Sequence, residues 1–555
     1  MAFNLQNNMQ KRIYSILKVS WIISGMALTM YQSAVAQQDT TIQQQTIDIY
    51  NTYQPVLRAA ARLNLTAALP RLDTVKPQLV YNVPAQNLNF TYEPVPLRPL
   101  AMGRDTANES MYNNYIKAGF GNYKTPYLQI GLSNGRSQPF QYGLDFSHIS
   151  SQGSIENQNY SKDHLLIHGQ YFSATHEFHG NVTYDRHGIR YYGYDHDTTK
   201  LPLSQVKQAY NTISAEFGLS NTVKNAVGIN YQPDLKITSF SDIHNRREST
   251  FLIFAPVQKE IIKDISIVAD FTGSFSTYTD KYNTYNNNLM AVHPAVEINK
   301  PHFMLHAGVN PTWTNNKFFL LPDIVNETDL IPDKLILSSG WISYFNKNTY
   351  MNLVKENPFL GNYTNLLNTR VEEKYTGIKG TINSHFTYNT KFSFVEYHDR
   401  PLFVNDSIYG NTFKPLNEAD LKAYQLHAEL GYINNEGFQL KLSGNWFNYF
   451  KEQTAKDPWG LRPFEANLSG QYIIAEKLRL TADIFALSGS YYPDSSGNPH
   501  KTKGAFDLNA GASYQINKQF SIWLNGNNLF NSHYERWHNY QSLGLNVLGG
   551  IMIKF

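Results

Sequence analysis

Cysteine is absent from the 555 residues. That removes disulfides, thiol catalysis, Cys-ligated metals and a lipidated N-terminal Cys. Beyond the N-terminus no 18-residue apolar run occurs, so a helical membrane protein is excluded. The formal net charge is only +3, too small over this length to argue for nucleic acid or for a polybasic surface. No Gly-x-Ser-x-Gly, HExxH or phosphate loop is found, so no catalytic residue, cofactor or metal is assigned and a non-enzyme is expected. The chain is instead rich in Gly (34), Tyr (38) and Phe (32), with a mean hydropathy of −0.42. This combination suits a transmembrane β-barrel, in which only alternate residues meet lipid and the others can be polar. A secreted all-β protein is the competing reading.

Residues 1–36 read as a secretory signal. Lys11, Arg12 and Lys18 are its positive region, Val19 to Tyr31 its short apolar core, and Ala34-Val-Ala36 its cleavage pattern. Residues 37–112 differ in texture. Seven prolines from Pro55 to Pro99 make an extended periplasmic or lumen-occluding segment the expectation, with Leu88–Leu100 running along the periplasmic mouth.

Residues 113–555 alternate with period two. Leu478, Leu480, Ala482 and Ile484 alternate with Arg479, Thr481 and Asp483; Phe506 to Ile516 behaves likewise. Strict alternation is the signal of a half-buried strand. Tight links are expected near Gln138, Thr175, Lys224, Lys263, Asn299, Asn346, Ser384, Asn435, Glu476 and Asn517. Longer polar stretches such as Tyr191–Lys207 and Tyr491–Lys503 lie between them. Short turns on one side and long loops on the other are the outer-membrane asymmetry. Ten turns plus a first and a last strand predict an antiparallel barrel of about 22 strands, with Pro294, Pro311 and Pro358 blurring the count between 290 and 370. Glu216, Asp270, His427, Glu429, Asp483 and Asp507 fall on the inner face, as a wet lumen expects.

The chain ends Val547-Leu-Gly-Gly-Ile-Met-Ile-Lys-Phe555, preceded by Asn528-Leu-Phe-Asn-Ser-His-Tyr534 and a loop with Trp537 and Tyr540. This end resembles that of a TonB-dependent receptor barrel, although Asn539-Tyr540-Gln541 stands where that family often has Gly-Tyr-Pro. The resemblance implies that Asn528, Phe530, Tyr534 and Phe555 serve membrane assembly. The family's plug, roughly twice as long as 37–112 and of mixed α/β pattern, is not recognisable here; Thr46–Tyr50 faintly resembles its TonB-engaging box.

Tyr191, Tyr192, Tyr194 and Trp537 make a possible ligand-facing rim, with packing of loops upon one another as the plainer alternative. Asp195, His196 and Asp197 are adjacent rather than two apart and read as a solvated loop. The resemblance implies a receptor taking up or binding a nutrient at the cell surface. The expected partners are outer-membrane lipid, the barrel assembly machinery and a TonB-like energy-coupling protein or a surface lipoprotein, with no nucleic acid. The alternatives are a non-transporting scaffold barrel of an envelope complex and, last, an enzyme at the lumen or rim.

Overall fold

The computed structural model describes residues 114–555, apart from 136–138, 362, 364–366, 407 and 435–436. The expected signal, the Pro-rich segment and the course of Leu88–Leu100 therefore lie outside the described residues. From Tyr115 to Lys554 the chain forms one closed antiparallel sheet of 22 strands.

These are β1 (Tyr115–Gly121), β2 (Thr125–Ser133), β3 (Phe140–Gln152), β4 (Asn159–Phe172), β5 (His176–Arg190) and β6 (Lys207–Asn221). Two interrupted strands follow, β7 (Ile229–Tyr231 and Asp234–Asp242) and β8 (Arg247–Ala255 and Val257–Ile262). Then come β9 (Ile265–Thr279), β10 (Thr284–Lys300), β11 (Phe303–Thr314), β12 (Lys317–Ile331), β13 (Leu335–Asn346), β14 (Thr369–Thr381) and β15 (Phe386–Asn405). The last seven are β16 (Phe413–Asn434), β17 (Phe438–Lys451), β18 (Phe464–Ile474), β19 (Leu478–Leu487), β20 (Ala505–Gln515), β21 (Phe520–Asn527) and β22 (Asn546–Lys554).

Closure is set by β22, which pairs with β21 on one side and with β1 on the other, from Tyr115↔Lys554 to Gly121↔Leu548. In hydrocarbon every backbone N–H and C=O must find a partner within the protein, so a spanning sheet has to close. The seam is tightened on the inside. Trp523 of β21 reaches across to β1, where a Cβ on Gly119 would lie 2.5 Å from its ring, and Lys117 sits 4.3 Å over the same indole. Only glycine leaves room for that crossing.

The outward face is apolar. Ile213, Phe217, Ile237, Leu430, Leu442, Leu524 and Ile551 are all exposed, and a continuous belt of this kind belongs in lipid rather than water. The inner wall is a lattice of ion pairs: Lys236–Glu216 at 2.8 Å, Lys379–Glu327 at 2.6 Å, Lys391–Glu373 at 2.7 Å and Lys441–Glu429 at 3.0 Å. Leu442→Arg should therefore destabilise the barrel by about 2–4 kcal/mol near the midplane. Ser443→Arg, one residue on and beside Glu429, should fold normally. Heat-modifiable mobility of the two variants checks this; the reverse ranking would invert the facing.

Prolines mark where pairing is relaxed. Pro233 and Pro256 interrupt β7 and β8 side by side, with Gln232 N–H donating to Pro256 O at 3.2 Å. On the β10–β11 ladder the register runs from Ala291↔Thr312 to Ala295↔Gly308 with nothing paired between. Pro294 and Pro311 share that gap, so two missing N–H groups cost the sheet one local opening rather than two.

One turn differs from expectation. Asn346 is the outer end of β13, opening the 347–368 loop, and the periplasmic turn lies at 332–334, where Asp333 has φ 59°. The error arose because β11 and β12 are joined outside by only Asn315 and Asn316, both at positive φ. A tight two-residue hairpin needs no long outer loop.

Candidate functional site at the extracellular mouth

The 347–368 loop folds back onto the mouth through one short helix, α1 (Tyr350–Glu356). Thr349 caps it by accepting the Asn352 N–H, and Tyr350, Leu353 and Val354 share its buried face, the i, i+3, i+4 spacing of an amphipathic turn. Tyr350 is fully buried, its ring edge-on to Phe240 and Tyr278 at 5.3 Å each. Its hydroxyl donates to Asp242 at 2.8 Å and its N–H to Glu248 at 2.7 Å.

Asp242 is the hub of this contact, with a side chain that is 0% exposed. It accepts from Gln208 Nε2 (3.1 Å), Arg246 Nε (2.6 Å) and the backbone N–H groups of His244 and Arg246, besides Tyr350. Arg246 also donates to Gly361 O. A buried carboxylate is tolerable only when its lone pairs are met this fully.

The loops then meet across the ring. The Tyr191 hydroxyl, just beyond β5, donates to Leu360 O at 3.1 Å, and the Tyr191 backbone carbonyl accepts from Nδ2 of Asn411, which sits just before β16, at 3.4 Å. Strands β5 and β16 lie on opposite sides of a barrel roughly 40 Å across, by strand spacing and tilt. Tyr192 donates to Gln541 O at 2.8 Å, and Tyr540 stacks on Phe359 at 3.5 Å and 18°. Residues of three outer loops, 191–206, 347–368 and 528–545, thus meet the strand residues Phe240, Tyr278, Phe403 and Phe413 in one aromatic cluster at the mouth.

Tyr191, Tyr192, Tyr194 and Trp537 are all brought together there. Tyr191, Tyr194 and Trp537 are buried, and Tyr192 is half-buried. Tyr194 OH accepts from Asn157 at 3.1 Å; Trp537 packs on Phe403 at 5.3 Å and Phe413 at 5.4 Å. Asp195 closes its own turn: the Thr198 hydroxyl and the Asp197 N–H hold its carboxyl below the usual range. The sequence reading missed Asp242, α1 and Phe359. The helix had a legible signal in Thr349-x-x-Asn352 with apolar positions at 350, 353 and 354; the Asp242 hub had none, since its partners are distant in sequence.

The assembly residues separate. Asn528 and Asn531, at φ 52° and 54°, turn the chain over the end of β20. Asn528 Nδ2 donates to Ser532 O (2.9 Å) and Leu543 O (2.6 Å). Phe530 stands outside against Phe506 at 5.7 Å, while Tyr534 is buried edge-on to Phe485. Phe555 is half-exposed at the opposite end of the barrel and exchanges both backbone bonds with Asn114. Asp507 is no free lumenal carboxylate. It is fully buried and accepts from Phe530 N–H (3.0 Å) and Ser532 N–H (3.1 Å), so it holds the Asn528–Ser532 turn.

Among the described residues, one His/carboxylate group is close enough to hold a metal ion: His179, Glu216 and Asp234 on the inner wall. Its charges are already paired, His179 with Asp234 at 2.8 Å and Lys236 with Glu216 at 2.8 Å.

No protein-family model and no curated protein matches the sequence. Solved structures do match the fold. The FrpB iron transporter from Neisseria meningitidis (F3-3 variant) is similar with a TM-score of 0.65 and 11% identity, over 81% of this chain and 82% of that one. The siderophore receptor PirA from Acinetobacter baumannii gives 0.63 and 10%, over 80% of each chain. The pyoverdine outer membrane receptor FpvA from Pseudomonas aeruginosa PAO1 gives 0.61 and 11%, over 80% and 79%. The chain shares the large β-barrel fold of these proteins, and its apolar outward belt is that of an outer-membrane barrel.

Proposed function

We propose that this barrel is a cell-surface receptor that binds a nutrient ligand among its outer loops and passes it inward with the help of a TonB-like energy-coupling protein. The observation that carries this reading is the hydrogen-bonded crossing of the mouth by Tyr191, Leu360 and Asn411. A general diffusion pore works by an open mouth, whereas a receptor needs convergent loops that bind and then move. The fold neighbours support it: one is an iron transporter, the others a siderophore receptor and a pyoverdine receptor.

Pull-down of the full chain from gently solubilised membranes tests the proposal. A TonB-like protein should be recovered, and deletion of residues 40–100 should abolish its recovery. Recovery of a stable complex with a surface lipoprotein or other envelope proteins, and no coupling protein, would make the barrel a scaffold and overturn the receptor reading.

A further inference from the structure

Two outer loops, one after β17 and one after β21, clasp each other. Arg462 Nη2 donates to Glu535 O at 3.3 Å and Arg536 Nη1 donates to Gly460 O at 3.2 Å. Gly460 has φ +76°, and a Cβ there would lie 2.7 Å from the Trp537 ring, so the chain passes directly under the indole. Within this clasp four buried polar atoms have no partner: Arg462 Nε and Nη1, Arg536 Nε and Trp537 Nε1. All four are donors. Arg462 is 6% exposed and Trp537 3%.

Beside the clasp lies a cavity of about 70 Å³. Tyr192, Phe359, Tyr540 and Trp537 form apolar walls, and the only charged side chains lining it are Arg190 and Arg536. Neither of these, nor Arg462, makes an ion pair among the described residues; Arg190 Nη1 donates to Asn157 Oδ1 at 3.0 Å. The carboxylates whose field reaches Arg462 and Arg536 are Glu465 and Glu356, both beyond ion-pair distance. Glu535 is engaged by His538 at 3.5 Å and by the Asn539 N–H. Burial brings the Arg462 guanidinium down to about 9, and Arg536 beside it acts in the same direction.

Of the four unmet donors, Arg536 Nε and Trp537 Nε1 belong to residues that line the cavity, and two arginines without ion pairs in a largely apolar chamber call for an acceptor that also carries negative charge. Ordered water would meet the donors but not the charge. We propose that this cavity is a binding site for a small organic carboxylate, or for the carboxylate end of a larger ligand, held between Arg190 and Arg536. The volume is well below the roughly 300–1,000 Å³ of pockets for drug-sized molecules, so the group inserted is short. Recognition of this group deepens the receptor reading above and rests on it.

The test uses the full chain in detergent micelles, with propionate as probe and propionamide as its neutral isostere, read by tryptophan fluorescence. Propionate should change the emission, propionamide should not, and Trp537→Phe should remove the change. Arg536→Gln and, separately, Arg190→Gln should weaken propionate binding about tenfold or more, as loss of a charge-assisted pair does. Heat-modifiable mobility shows that each variant is folded, and Arg190→Gln guards against Arg536 being needed for the clasp itself. Equal response to propionate and propionamide, or unchanged binding in both folded variants, would overturn the site and leave a water-filled cavity. Inorganic phosphate binding tighter than propionate would overturn the carboxylate assignment. Capture of a coupling protein plays no part in this measurement, so the site and the receptor reading fail separately.

Discussion

Removal of Met552–Phe555 is expected to abolish the closed, heat-modifiable barrel. Met552, Ile553 and Lys554 pair with Lys117, Ile116 and Tyr115 of β1, and Phe555 exchanges N–H···O bonds with Asn114 at 3.2 and 2.9 Å. On the other side Ile553 and Met552 pair with Phe520 and Ser521 of β21. Truncation unpairs both neighbours at once, and each backbone group left unpaired in hydrocarbon costs several kcal/mol. No other strand can replace β22, because every other strand already has two partners. Phe555→Ala keeps these backbone bonds and removes only a half-exposed ring, so it should fold with reduced yield. Loss of the heat-shifted band in membranes from the truncated mutant checks the prediction; a normal band would mean that closure does not depend on the last four residues.

Asp242→Ala should open the mouth while leaving the barrel intact. The substitution strands Arg246, the Tyr350 hydroxyl and two backbone N–H groups that now converge on one carboxylate. Breaking one partner of a buried charge pair costs about 3–5 kcal/mol, more than an exposed loop commonly retains as local stability. The expected result is rapid proteolytic cleavage within 347–368 and unchanged heat-modifiable mobility. Asp242→Asn, which keeps one acceptor oxygen, should lie between the two. Resistance of the alanine variant to protease would show that the aromatic stacking of Phe359 on Tyr540 is sufficient to hold the loop.

The barrel was legible because lipid imposes a local rule on each strand. Leu480 and Leu508 must face out and Thr481 must not, and this alternation is written residue by residue. Strand parity followed for the same reason, since turn residues repeat at each crossing. Where local signals were ambiguous the reading slipped: the tight outer hairpin at Asn315–Asn316 displaced one periplasmic turn from 332–334 to Asn346. The aromatic loops were visible as composition, in Tyr191, Tyr192, Tyr194 and Trp537, but their meeting across the mouth was not. Tyr191 finds Leu360 and Asn411, and Asp242 finds Tyr350, across more than a hundred residues of sequence. No periodicity encodes such pairings, because they depend on which loops the closed ring brings face to face. Asp507 shows the limit most clearly. Its alternation placed it correctly on the inner face, yet only the tertiary structure gave it the turn at Asn528–Ser532 to hold. The sequence by itself determined a spanning, 22-stranded antiparallel sheet, through the pairing demands of backbone in lipid. The loop contacts across the mouth and the guanidinium groups left there without ion pairs were decided by closure, which alone sets the distances between loops.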